Sequence, residues 1–230
     1  MREIVHERVQ IEVPEDMAEL RGLIKPNIPW AEDHFQERVS GMPLNPPPSS
    51  EHWPYAQKNN SVHKKDEKFS HTYPERFWPY TAGDKINDGI RYRYGDLNNL
   101  VSILNRNPGS RQAYLPVWFP EDLYAADMGD RVPCTLGYHF LMTPHRMEGF
   151  MLDMEYHIRS CDFVRFFRDD LYMAGRLLQW VCEEIAAGIQ PGTLIMNIGS
   201  FHCFEEDKTT LERFEQEAEA TWNARLSHLL

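Results

Sequence analysis

The chain has 230 residues, 42% of them hydrophobic and 26% charged, a globular composition long enough to bury one sizeable core, and we read it as one domain, residues 1–230. A net charge of −11 leaves no basic stripe for a DNA or RNA polymer, so the compatible ligand is a small anion held by a few local arginines. No apolar run approaches the ~20 residues of a membrane span; the first residues carry no signal-peptide pattern, and the four cysteines lack Cys-x-x-Cys spacing, which together point to a reduced, cytoplasmic protein.

In chain order, Ile4 to Val13 reads as a short strand, 15–24 as a helix, and about Trp30 to Ser40 as a second helix. Residues 42–86 are rich in Pro, His, Ser and charge, which predicts an irregular insert. Its aromatics, among them Trp53, Tyr73, Phe77, Trp78 and Tyr80, predict that it docks on the body. Leu97, Leu100, Val101 and Leu104 recur at helical spacing, and Asn107-Pro108-Gly109 ends that helix. Strands are expected at 111–119, 134–142 and 149–158. Residues 169–188 are apolar on nearly every face (Leu171, Met173, Leu177, Leu178, Val181), which implies a buried central helix. Pro191-Gly192 is expected to stop it, before a strand at 193–204. Leu211, Phe214, Ala218 and Trp222 mark an amphipathic terminal helix. The class is α+β, a mainly β layer covered by helices.

Cys134 stands at a strand entrance after Pro133, and Arg159-Ser160-Cys161-Asp162 ends the paired strand 25 residues on. Two such strands can bring a thiol and a guanidinium into one pocket. The thiolate is the reactive form, and a nearby guanidinium favours it. An arginine also grips phosphate through charge-assisted bonds, and the Ser160 hydroxyl can add a contact. A buried strand cysteine of no chemical role is the alternative. Arg111 lies at a turn-to-strand junction. Asp169 and Asp170 open the central helix, where one can complement the helix dipole while the other faces inward as an acceptor. His202 ends an apolar strand, and Glu32 sits near a helix start. His52, His63 and His71 lack zinc-ligand spacing, and there is no glycine-rich phosphate loop, so no metal is expected.

Taken together, Ser110-Arg111, Val132-Pro133-Cys134, Arg159-Ser160-Cys161-Asp162, Asp170 and Gly199-Ser200-Phe201-His202 resemble the thymidylate synthase superfamily over residues 85–205. Phe167-Arg168-Asp169-Asp170 is close to the Phe-Arg-Asn-Asp of the phage deoxycytidylate hydroxymethylase branch. Asn197-Ile198-Gly199-Ser200-Phe201-His202 is likewise similar to that branch's Asn-Val-Gly-Ser-Leu-His. The resemblance implies a large mixed sheet covered by helices, and a homodimer with shared active sites. It also implies 5,10-methylenetetrahydrofolate as co-substrate, without a metal. In the implied chemistry the Cys134 thiolate adds to C6 of dCMP, C5 takes up the one-carbon unit, and water completes a hydroxymethyl group. Asp170 stands where thymidylate synthases carry an asparagine that reads uracil. A carboxylate only accepts, so it suits the exocyclic amine of cytosine.

By the same resemblance, Glu32 orders water and assists proton transfer, although it matches the family's Glu-Leu-x-Trp only through Phe35. Arg159 and Ser160 hold the 5′-phosphate, with Arg111 reaching it from the other subunit. His202 contacts the sugar, and Asp162 the folate pterin. The sequence departs from the pattern at Gln112, Phe204 and Phe166, where a second arginine, a tyrosine and a glycine are expected. Its C-terminal residues do not resemble the usual lid, and the N-terminal arginine loop is not recognisable, with Arg21 and Lys25 the candidates to substitute for it. These departures keep three alternatives open: a CMP hydroxymethylase, a dUMP methyl or hydroxymethyl transferase, and a non-catalytic nucleotide-binding relative.

Overall fold

The computed structural model of the chain describes residues 1–55, 64–65, 67–79, 95–144, 149–185 and 188–227. The strands are β1 (Arg2–Glu12), β2 (Lys64–Lys65), β3 (Lys68–Phe69), β4 (Tyr114–Pro116), β5 (Thr135–Pro144), β6 (Phe150–Asp162) and β7 (Ile189–Cys203). The helices are α1 (Met17–Ile24), α2 (Trp30–Val39), α3 (Tyr73–Phe77), α4 (Leu97–Arg106), α5 (Pro120–Asp127), α6 (Phe167–Glu184) and α7 (Lys208–Ser227).

Five strands form a mixed sheet in the order β1-β7-β6-β5-β4. Neighbours run antiparallel except β6 and β7, which are parallel and joined through α6. That follows from connectivity, since a parallel pair needs a long crossover whereas antiparallel neighbours do not. Along β6 the side chains alternate: Leu152, Met154, Tyr156 and Ile158 are buried while their neighbours are half-exposed. The buried row meets α6, which packs on β6 and β7 on one side and takes α1 and α2 on the other. Between these layers α6 buries residues on nearly all faces, Tyr172, Leu178 and Val181 among them. Gly175 faces α1; a Cβ there would lie 3.0 Å from the Leu20 side chain.

Several elements differ from the sequence expectation. The strand expected at 111–119 reduces to Tyr114–Pro116, because Val117 and Trp118 both turn their N–H groups onto the Leu136 carbonyl. Helix α5 follows directly, opened by Pro120 at its first turn and by Asp122, whose carboxylate accepts from the Phe119 N–H at 2.7 Å. Asp122 is itself buried in a two-pronged pair with Arg76. The central helix ends at Glu184, and Pro191-Gly192 lies inside β7, not at a helix stop. At that point the ladder skips Asp153, whose carboxylate takes the Thr193 N–H instead. A proline is tolerated there because its missing donor falls at an irregularity.

The described part of the insert is more regular than expected. It holds a 3-10 turn at Pro48–Glu51, the β2–β3 pair, and α3, whose start is fixed by a capping box between Thr72 and Glu75. Phe77 and Trp78 are buried in the core, and the Trp78 indole N–H donates to the Arg38 carbonyl at 2.8 Å. Asn45 exchanges two bonds with the Phe69 backbone. Tyr80 and His63 lie outside the described residues.

Candidate active site

A cavity of about 250 Å³ opens where five segments converge. The C-terminal end of β6 supplies Ser160, Cys161 and Asp162, and the start of α6 supplies Asp169, Asp170 and Met173. Val132 and Cys134 come from the strap before β5. One stripe of α2, Trp30, His34 and Arg38, forms the opposite wall at a spacing of four residues. The insert closes the remaining sides with residues such as Ser49, Trp53 and Tyr73.

The strap that carries Cys134 is pinned by Arg159. Its backbone N–H donates to the Cys134 carbonyl at 2.9 Å, Nε donates to the Pro133 carbonyl at 2.9 Å, and Nη2 to the Val132 carbonyl at 3.2 Å. The guanidinium also lies over the Trp118 ring. Arg159 therefore holds the Cys134 loop and does not itself line the cavity. Burial pushes the Cys134 thiol above its ordinary pKa, with the Arg159 charge the main opposing influence. Cys161 lines the same cavity but is fully buried, and burial together with Asp170 pushes its thiol up further. Of the two, Cys134 is the accessible one.

The two aspartates at the start of α6 divide their work. Asp169 accepts from the Asn27 backbone N–H at 2.8 Å and from its side-chain amide at 2.7 Å, so it anchors the α1–α2 turn. Asp170 faces the cavity, where burial pushes its carboxyl up to about 7; Arg38 pulls it down and Asp169 adds to the rise. The Cys161 thiol lies 4.0 Å from Asp170 Oδ2. Asp162 also lines the cavity. One of its oxygens accepts from the Val164 and Arg165 N–H groups, while the other has no hydrogen-bond partner among the described residues and lies 3.6 Å from Arg165 Nε.

Glu32 does not face the cavity. Its carboxylate accepts from the Tyr172 hydroxyl at 2.5 Å, Arg176 Nε at 3.2 Å and the Gln36 amide at 2.9 Å, on the side of α2 that packs against α6. Burial raises its pKa, but Arg176, Tyr172 and Gln36 outweigh burial and hold it low. Two residues on, His34 turns inward. Its Nδ1 lies 3.0 Å from the Glu37 carboxylate and 3.2 Å from the Ser49 hydroxyl, and its ring stacks on Trp30. Ser49 also donates to Glu37 through both its hydroxyl and its N–H. Burial, helped by the Arg38 charge, pulls His34 down to about 4, so the imidazole is neutral at physiological pH.

Arg111 is exposed and outside the cavity; its carbonyl accepts from His139 Nε2. His202 is half-exposed beside Ser200 and Phe204, also away from the lining. Sequence reasoning missed His34, Arg38 and Tyr73. The Tyr73 hydroxyl accepts from Thr135 Oγ1 at 3.0 Å, next to the cysteine strap, and burial pushes it well above the ordinary tyrosine range. The readable signal was the Trp30, His34, Arg38 spacing. Phe166 stands in the aromatic wall formed by Trp53 and Tyr55, stacking on Trp53 at 5.6 Å. Among the described residues no group of three or more His, Cys, Asp or Glu side chains is placed to hold a metal, and no helix is long and apolar enough to cross a membrane.

Comparison with known proteins follows the same lines. A family model described as thymidylate synthase matches residues 55–226. No curated protein sequence matches the chain. Among solved structures, thymidylate synthase from T4 phage superposes with a TM-score of 0.62 at 13% identity, covering 92% of this chain and 71% of its own. The thermostable thymidylate synthase A from Bacillus subtilis gives 0.59 at 15% identity, covering 91% and 69%. The mixed sheet with its covering helices is thus the fold these enzymes share.

Proposed function

The chain belongs to the thymidylate synthase family, and from that premise we propose that it is a folate-dependent hydroxymethylase of a cytosine nucleotide, dCMP foremost. The observation that carries this reading is a carboxyl, Asp170, lining the same cavity as an accessible thiol, Cys134. The family supports one-carbon transfer to a pyrimidine nucleotide; the carboxyl supports cytosine as the base.

In this reading the Cys134 sulfur forms a bond to C6 of the base, making C5 nucleophilic. Bound 5,10-methylenetetrahydrofolate supplies the one-carbon unit that C5 takes up. C5 gives up its proton, the bond between the transferred carbon and tetrahydrofolate breaks, and water adds to the resulting exocyclic methylene as the thiolate leaves C6, which completes the hydroxymethyl group. Asp170, ionised, accepts from the exocyclic amine. The residues present suit the folate: a pterin needs a carboxylate for its N–H donors and an aromatic face, and Asp162 lies beside Trp53 and Phe166 in the cavity wall.

The water-handling role expected of Glu32 passes to His34. With Nδ1–H donated to Glu37, the neutral ring keeps Nε2 as its acceptor, and His34 lines the cavity. Arg159 fixes the Cys134 strap, and Ser160 remains the phosphate contact within the chain. Arg111, exposed and outside the cavity, suits a role across a homodimer with shared sites, and His202 a role at the sugar.

One observation favours a second reading. A carboxyl with a pKa near 7 is partly protonated at neutral pH, and a protonated Asp170 can donate to O4 of dUMP. Release of tritium from C5-labelled dCMP, dependent on methylenetetrahydrofolate, tests the main proposal. Absence of release with dCMP and CMP from folded protein rejects it, and release from dUMP alone selects the second.

A further inference from the structure

Arg38 is only 5% exposed, yet among the described residues its guanidinium has no hydrogen-bond or ion-pair partner, and its Nε is fully enclosed. It lies over a ring face, with the Tyr73 centroid 4.1 Å from the guanidinium carbon. A buried cation without a hydrogen-bonded partner is costly, because it gives up its bonds to water and a ring face offsets only part of that loss. The backbone is anchored at this residue, where the Trp78 indole N–H donates to the Arg38 carbonyl. The side chain lines the cavity, and its charge is near enough to Asp170 to pull that carboxyl down without touching it. An enclosed donor set with an empty acceptor side calls for a ligand acceptor.

Resting on the hydroxymethylase reading, we infer that Arg38 is a base-reading residue: its guanidinium donates to the ring acceptor next to the group that Asp170 receives. A guanidinium only donates and an ionised carboxylate only accepts. Cytosine presents an amine donor at position 4 beside the N3 acceptor. Uracil presents the reverse, an O4 acceptor beside an N3–H donor. An Asp170–Arg38 pair that faces positions 4 and 3 therefore makes two bonds to cytosine and meets two mismatches on uracil. Specificity then belongs to the pair, and Asp170 alone does not set it.

Calorimetric titration of dCMP and dUMP into the full chain tests this without any turnover. Replacing Arg38 by methionine (Arg38→Met) weakens dCMP binding by about tenfold or more, as expected for loss of one charge-assisted bond, and leaves dUMP no weaker than before. Arg38→Gln, which keeps an N–H donor, recovers part of the dCMP affinity, and it covers the case in which methionine fails to fold. Unchanged dCMP affinity in folded variants overturns the inference. So does an equal loss for both nucleotides, which would assign Arg38 to a group they share. Wild-type protein that binds neither nucleotide removes the hydroxymethylase reading itself, and this inference with it.

Discussion

The Tyr172 hydroxyl donates to Glu32 at 2.5 Å, and Arg176 closes on the same carboxylate from the other side. This places Glu32 in the seam between α2 and α6. Glu32→Gln is expected to cost stability, about 1–3 kcal/mol, because Arg176 loses its ionic partner in a largely buried place. Tritium release at a temperature where the variant is folded is expected to stay within about tenfold of wild type. Denaturant melts paired with turnover check both; a large loss of turnover with unchanged stability would restore Glu32 to the chemistry.

Cys134→Ala is expected to abolish tritium release while leaving the melting temperature close to wild type. Because burial holds the thiol above its ordinary pKa, only a small thiolate fraction exists at neutral pH in the free protein. Alkylation by iodoacetamide should therefore be slow at pH 7 and accelerate as pH rises beyond the ordinary cysteine range. Mass spectrometry of the modified peptide distinguishes Cys134 from the more deeply buried Cys161.

Asp170 gives a pH signature. Its folded pKa of about 7 lies above the ordinary 3.8, so the folded state holds a proton that the unfolded chain releases. Its contribution is complete below pH 4 and is lost as pH rises toward 7, on the order of 2 to 4 kcal/mol across that window. Asp170→Asn should flatten this slope and raise stability at pH 8. In catalysis the sign reverses for cytosine: dCMP turnover rises as the carboxyl ionises through pH 7, whereas dUMP turnover by the protonated form falls. Rate profiles for both nucleotides separate the two readings.

His34→Ala is expected to slow product formation by about 10–100-fold with dCMP affinity retained, as for loss of a modest proton acceptor. Its low pKa, about 4, means that the inflection expected near 7 in the wild-type dCMP profile belongs to Asp170 and should persist in the His34→Ala variant. Calorimetry beside steady-state rates separates binding from chemistry here.

Much of the frame could be read from the residues. The alternation in β5 and β6 and the all-round apolar face of α6 gave those elements to within a few positions, and Cys134, Ser160, Asp162 and Asp170 do line one cavity. Helix α5 was not legible, because Leu123 and Tyr124 are exposed and its start depends on Asp122 meeting Arg76 from the distant insert. The inward face of α2 was hidden for a related reason. Its buried stripe, Trp30, Ala31, His34, Phe35 and Arg38, contains a histidine and an arginine, which hydropathy counts as solvent-facing. Glu32 looked better placed by motif, yet it lies roughly half a turn away from His34 on the helix.

Gly199 lies against the Arg159 backbone, and a Cβ there would stand 2.8 Å from the Arg159 carbonyl oxygen. Any other amino acid would have to prise β7 away from β6 at the residue that tethers the Cys134 loop by three bonds. An alanine two strands from the sulfur would thus be transmitted as a shift of the sulfur itself. Position 199 is one where the smallest possible side chain is enough to misalign the chemistry.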